Sequence, residues 1–279
     1  MTRLAALLAT LAAVTILLSS PARAELLLRY RGRSGQVAVY RLTLKATGEQ
    51  VSLGEPRPIN VEAELELREE VTATGPGDVM TVRITPRVIR SGDPAGTFGN
   101  GEDGRFPEVE VTTNSRGETL SARPLTDEHV GPYQRAFALL MAAPSVVLPE
   151  DPVSLGDTWT WQSGGDWQKS RFAGAAKRGP GMVARIETTA TAPVTVREES
   201  PGLGLSTTVS GSQTQRSVLE LMTDTGVVLG NKGVVRISTK GHVVLDLEQG
   251  QKVFPIASGI SVSYQLRLVR LDGKAIRRH

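Results

Sequence analysis

The chain contains no cysteine, which excludes disulfide staples, thiolate nucleophiles, cysteine zinc ligands and an acylated N-terminal cysteine. Histidine is nearly as scarce, with only His129, His242 and His279. No His-Glu-x-x-His zinc helix and no Gly-x-Ser-x-Gly nucleophile turn occurs. Aromatic residues make up 4% of the chain, and the basic residues are scattered among strands instead of interleaved with aromatics, so nucleic acid is not an expected partner. There is no Asn-x-Ser/Thr glycosylation acceptor. Beyond residue 24 no uncharged apolar run approaches the roughly 20 residues that cross a bilayer. These absences lead to the expectation of a non-catalytic protein with no cofactor and no metal.

The opening 24 residues are of a different kind. Arg3 supplies a positive start, Leu4 to Leu18 carries no charge and is mostly apolar, and Ala22-Arg23-Ala24 forms an Ala-x-Ala cleavage site. That is the pattern of a secretory signal peptide, with the mature chain beginning at Glu25. A retained anchor is the competing reading, and the run is short for it. Export combined with the absence of cysteine leads to the expectation of a bacterial envelope protein, periplasmic or extracellular.

The mature chain carries 30 basic and 29 acidic side chains. The two signs are unevenly divided: residues 25–130 sum to −4 and residues 131–279 to +5. Such a split permits contact between the halves, or an anionic surface meeting the C-terminal half.

Period-two alternation dominates the pattern. Ala38, Tyr40, Leu42 and Leu44 alternate with Arg41, Thr43 and Lys45; Val61, Ala63, Leu65 and Leu67 alternate with Glu62, Glu64, Glu66 and Arg68. Met80, Val82 and Ile84, then Val235 and Ile237, then Val243, Leu245 and Leu247, and finally Val262, Tyr264, Leu266 and Leu268 repeat the arrangement. One apolar and one wet face belong to antiparallel sheets, since parallel sheets covered by helices show nearly continuous apolar runs. Turn signals such as Thr74-Gly75-Pro76-Gly77-Asp78 and Asp224-Thr225-Gly226 separate the strands. The fold class expected is mainly β: two similar antiparallel curved sheets or half-barrels, with one short helix between them. A single composite sandwich or incomplete barrel is the alternative.

That helix follows Gly131 as N-cap and Pro132 as N1, with Tyr133, Phe137 and Leu140 on one face and Pro144 as its stop. The expected organisation is a signal peptide at 1–24, an N-terminal β unit at 25–130, a helix and Pro-rich connector at 131–156, and a C-terminal β unit at 157–279. Two echoes suggest an internal duplication. Residues 35–41 resemble 156–162, and residues 110–120 resemble 220–229.

Leu148-Pro149-Glu150-Asp151-Pro152-Val153-Ser154-Leu155-Gly156-Asp157-Thr158-Trp159 resembles a Leu-Pro-x-x-Pro-Val-x-x-Gly-Asp-x-Trp segment of uncharacterised exported bacterial β-rich proteins. In that group the motif lies between two strand-rich halves, as it does here. The resemblance implies architecture and export and transfers no catalytic residue.

Several local patterns invite chemistry. Gly99-Asn100-Gly101-Glu102-Asp103-Gly104 has Gly-x-Gly-x-x-Gly spacing but lacks the buried parallel strand and following helix that dinucleotide binding needs. The loop at 91–105 holds Asp93, Asn100, Glu102 and Asp103, hard oxygen donors of the kind Ca²⁺ takes, without the EF-hand alternation. Glu62, Glu64 and Glu66 have a glycosidase-like spacing, yet they read as a wet sheet face. Trp167 and Phe172 among basic residues lead into a glycine-rich stretch at 173–181, read as a long hairpin loop or as a contact for anionic head groups.

Two functional classes fit. One is a carrier that binds a lipid or other amphiphile between apolar strand faces and the 132–143 helix, with Tyr133, Phe137, Leu140, Trp159, Trp161 and Trp167 as ligand-binding residues. The other is a structural protein with fully packed sheets that contacts another envelope protein. An envelope hydrolase is a distant third and would need His129 or several carboxylates gathered in one pocket.

Overall fold

The computed structural model describes residues 25–52, 55–92, 106–125, 146–179, 181–247 except 201–204, and 250–276. The expected helix, with Tyr133, Phe137 and Leu140, lies outside the described residues. So do His129, His279 and the loop residues Asp93 to Asp103.

The chain forms a first meander of β1 (Val37–Ser52), β2 (Glu55–Gly75), β3 (Val79–Gly92), β4 (Val109–Thr113) and β5 (Thr119–Pro124). A second meander comprises β6 (Thr158–Ser163), β7 (Asp166–Arg178), β8 (Gly181–Ser200), β9 (Leu205–Met222), β10 (Val228–Leu247) and β11 (Gly250–Leu271), with the short β12 (Lys274–Ala275) folded back on β11. Every ladder among the described residues is antiparallel. The strand order is β5-β4-β3-β2-β1-β11-β10-β9-β8-β7-β6.

The expectation of two sheets is therefore corrected to one. β1 is shared: Tyr40, Leu42 and Leu44 face Leu67, Leu65 and Ala63 on β2, and Leu268, Leu266 and Tyr264 on β11. An apolar row that finds matching rows on both sides pairs on both sides, because an unpaired edge would leave its backbone groups unsatisfied. The matched sequence segments occupy corresponding places in the two meanders. Residues 35–41 and 156–162 open them at β1 and β6, and residues 110–120 and 220–229 are the β4–β5 and β9–β10 hairpins. The stretch at 173–181 is not a long loop, since β7 runs through to Arg178 in register with Gly181.

One face of the sheet is apolar, as the alternation implied. Leu42 and Leu65 on that face are fully buried, while Lys45 and Glu62 on the other are exposed and pair at 2.7 Å. Two non-strand segments cover the apolar face at the end where β4 passes to β5 and β9 to β10. The N-terminal strap, Leu26 to Arg33, bridges Val153 through Leu26, donates Tyr30 N to Ser115 O at 2.7 Å, and donates Arg31 N to Gly226 O. The connector exchanges hydrogen bonds with Arg116 and Gln168, through Leu148 and Val147. Leu28, Val146 and Leu148 pack with Phe172, Ile186, Leu219 and Leu221 in one cluster. The connector is thus core material spanning from the β4–β5 turn to β6 and β7, and it seals the apolar face at this base.

At the other end the central strands outrun the edges, and glycines mark the approach of neighbouring backbones. A Cβ at Gly211 would run into Ser238 O, and one at Gly241 into Thr208 O. Glycine at such points lets a sheet bend. Lower down, a Cβ at Gly233 would run into the backbone oxygen of Arg216 and would sit 2.9 Å from both Ser217 Cβ and the Tyr264 phenol oxygen. Gly233→Ala is expected to destabilise the fold by about 1–2 kcal/mol through this overpacking. The urea midpoint checks it, with Gly230→Ala as the milder comparison because the contact there is 3.2 Å.

Candidate functional site

The apolar face is not uniform across the strands. Under β1 and β2 it is Tyr40, Leu42, Leu44, Ala63, Leu65 and Leu67, all buried. Under β7 to β10 a row of buried amides and hydroxyls takes over: Gln168, Ser170, Thr188, Ser217 and Asn231. The cross-strand register sets this row, with Ser170 facing Thr188, Thr188 facing Ser217, Ser217 facing Gly233, and Gly233 facing Tyr264. Gln168 Nε2 donates to Ser170 Oγ at 2.9 Å, and Ser170 and Thr188 share a 2.9 Å hydroxyl bond.

Tyr264 closes the row. Gln215 Nε2 donates to its phenol oxygen at 2.9 Å, and burial pushes the phenol up from its ordinary range. Ser217 Oγ is close enough to act on that phenol but has no partner in hydrogen-bonding geometry among the described residues. A buried hydroxyl left in that state costs about 1–3 kcal/mol.

Towards the other end the same face stays apolar but is less deeply buried. Val235 faces Val262 and Ile237 faces Ile260, with Ile256 and Val243 beyond; all are half-buried. They contrast with the sealed base.

Of the six residues expected to hold a ligand, the three tryptophans are visible, and they do not form one site. Trp159 Nε1 donates to Val147 O at 2.8 Å and Trp161 Nε1 to Glu118 Oε1 at 3.0 Å, so both anchor the base. Trp167 is 37% exposed and stands on the opposite face, since it faces Gln162 while Trp161 faces Gln168.

Glu69 is the group the alternation should have flagged. It continues the apolar parity of Leu65 and Leu67, faces Ala38 on β1 and Ile84 on β3, and is half-buried. Desolvation pushes its carboxyl up to about 7. An acid of this kind can hold or release a proton near neutrality, and the buried Tyr40 phenol, pushed up by its own burial and then by the Glu69 charge, lies near it. Glu62, Glu64 and Glu66, by contrast, lie on the wet face and pair with Lys45, Arg41 and Arg270. The hydrogen bond from Lys45 holds the Glu62 carboxyl below its usual range. No group of three His, Asp or Glu among the described residues could hold a metal ion.

The polar face carries two grooves on either side of β11. One, of about 400 Å³, has Lys45 and Arg90 balanced by Glu62 and Glu64. The other, of about 870 Å³, crosses β6 to β11 and is lined by Lys169, Arg171, Arg216 and Lys232 against a single carboxylate, Glu187. No helix among the described residues is long and apolar enough to cross a membrane. No protein-family model matches the chain, and no curated protein matches it.

Proposed function

We propose that this is an exported, non-catalytic protein of the cell envelope that holds an amphiphile against the apolar face of its sheet, beyond the sealed base. The observation that carries the reading is the division of that face. Half-buried apolar residues such as Ile237 and Ile260 line the end beyond the strap and connector, and the amide and hydroxyl row from Gln168 to Tyr264 lies beside them. An acyl or other apolar chain would remove water from the first, and a polar head would meet the row where Ser217 and Tyr264 end it. Ser217 Oγ, buried without a partner among the described residues, is a group such a head would serve. The signal-peptide pattern at 1–24 and the Leu148 to Trp159 motif support export, and the corresponding places of the repeated segments support an ancient duplication of the meander.

Native mass spectrometry of the protein purified from its own host's envelope tests the reading. A stoichiometric lipid or other amphiphile is expected to co-purify, and to be lost from Ile237→Asp while the thermal midpoint holds. A clean ligand-free mass for both proteins overturns it and leaves the packed interaction protein as the alternative.

A further inference from the structure

We propose that the 870 Å³ groove on the polar face binds a ligand carrying at least two phosphate-type anionic groups. This site is separate from the amphiphile face and does not depend on it. The argument begins with charge. Four cations and one carboxylate line the groove, a net of +3, and Arg171 is already engaged by Glu187 at 2.7 Å. Lys169, Arg216 and Lys232 form no ion pair with any described residue. On the β1–β2 part of this face, by contrast, Arg41, Lys45 and Arg68 each pair with a carboxylate, and the neighbouring groove is charge-balanced.

Geometry then sets the class of ligand. Lys169 and Arg216 both face Thr189, from β7 and β9, so their Cα atoms are about 10 Å apart, two strand spacings. Lys232, on β10, faces Val218 on β9, two positions along from Arg216, which faces Val234. A single carboxylate neither spans this arrangement nor neutralises it. Two phosphate groups, each carrying about −1.5 to −2 at neutral pH, do both. Arg216 supplies a planar fork for bidentate contact, and the two lysines act as point charges. Thr158 and Thr189, also in the lining, add hydroxyl donors.

The charge split between the halves of the chain thereby acquires a location. The excess of the C-terminal half is concentrated, in part, in a recess between strands. The shared chemistry could be presented by a soluble phosphorylated molecule or by phosphorylated lipid head groups, and the two sources are separable.

Isothermal titration calorimetry with sodium tripolyphosphate at low salt is the first arm. Saturable one-to-one binding is expected, about tenfold or more weaker in the Arg216→Ala/Lys232→Ala protein, and unchanged in Arg57→Ala/Lys252→Ala, whose substitutions lie outside the groove. The second arm is co-sedimentation with phosphatidylcholine vesicles, with and without phosphatidic acid. Tripolyphosphate binding lost in the groove variant assigns the site to a soluble ligand. Binding to acidic vesicles alone, lost in the same variant, assigns it to displayed head groups. Binding to neither probe, or equal weakening by both double variants, overturns the proposal. These side chains are on the wet face, so circular dichroism and the thermal midpoint are expected to match the parent protein.

Discussion

Leu28→Ala is expected to lower the unfolding free energy by about 3–5 kcal/mol, the largest effect of any single truncation outside the sheet. Leu28 belongs to no strand. It sits in the N-terminal strap, wholly buried against Val146 and Leu148 of the connector and Phe172, Ile186, Leu219 and Leu221 of β7 to β9. The walls of the cavity left behind are held by antiparallel ladders and by the connector's own hydrogen bonds, so they cannot close in on it. Arg29, next in the chain, fixes the strap further: Nη1 donates to Leu28 O and Pro149 O at 2.7 Å, and Nη2 to Glu150 O. Burial, with Arg116 and Arg31 nearby, lowers the pKa of that guanidinium. Leu27 is 42% exposed, and Leu27→Ala is the control, expected to change stability by less than about 0.5 kcal/mol. Urea midpoints at constant m-value make the comparison. Equal midpoints for the two variants would mean that the strap lies outside the cooperative unit.

Glu69→Gln is expected to stabilise the protein at pH 8 by about 2–3 kcal/mol and to leave it unchanged at pH 4. The sign follows from which state holds the proton. The folded carboxyl titrates near 7 against an ordinary value near 4.5, so between those values the native protein keeps a proton that the unfolded chain releases. Unfolding free energy therefore falls as pH rises through that window. The stabilising contribution is fully present below the lower value and is lost above the higher. A displacement of this size corresponds to about 3 kcal/mol, and water reaching a half-buried side chain trims it. Glutamine has nothing to ionise, so its midpoint should not show the fall between pH 4.5 and 7. In a chain of this length each kcal/mol moves the thermal midpoint by about 2–4 °C. A parent protein whose midpoint is flat across that window would show that Glu69 is solvated in the folded state.

How much of this was legible beforehand differs by element. The strands and their faces were written in the alternation: Tyr40, Leu42 and Leu44 are buried where the pattern put them, and Glu62, Glu64 and Glu66 are wet. Partner choice was not, because alternation is the same whether β1 meets β2, β11 or both. The strap and connector have no periodicity to detect. Leu28, Val146 and Leu148 are buried by tertiary position, and Arg29 is held by carbonyls whose placement no local rule encodes. Glu69 had a signal that went unused, since its parity continues Val61 to Leu67 and a carboxylate on that face is out of place. The cations of the polar groove were each readable as outward-facing. Their gathering depends on the registers of β7 to β10, which fall into place only once the sheet is assembled.

The β1–β11 ladder also has a consequence in time. Val39 pairs with Arg270 and Val51 with Ala257, so the seam in the middle of the sheet joins residues more than 200 positions apart. Each meander closes through neighbours in sequence, whereas the seam must bear the entropy of the whole intervening chain before any contact repays it. Any process that delivers the chain from its N-terminus, synthesis or threading through a pore, presents β1 first and its second partner last. Until β11 arrives, Tyr40, Leu42 and Leu44 flank an open strand edge of the kind that recruits other chains. The interval between the two arrivals is when this protein is most exposed to aggregation, and shortening it by joining the termini elsewhere on the sheet would change its yield more than its stability.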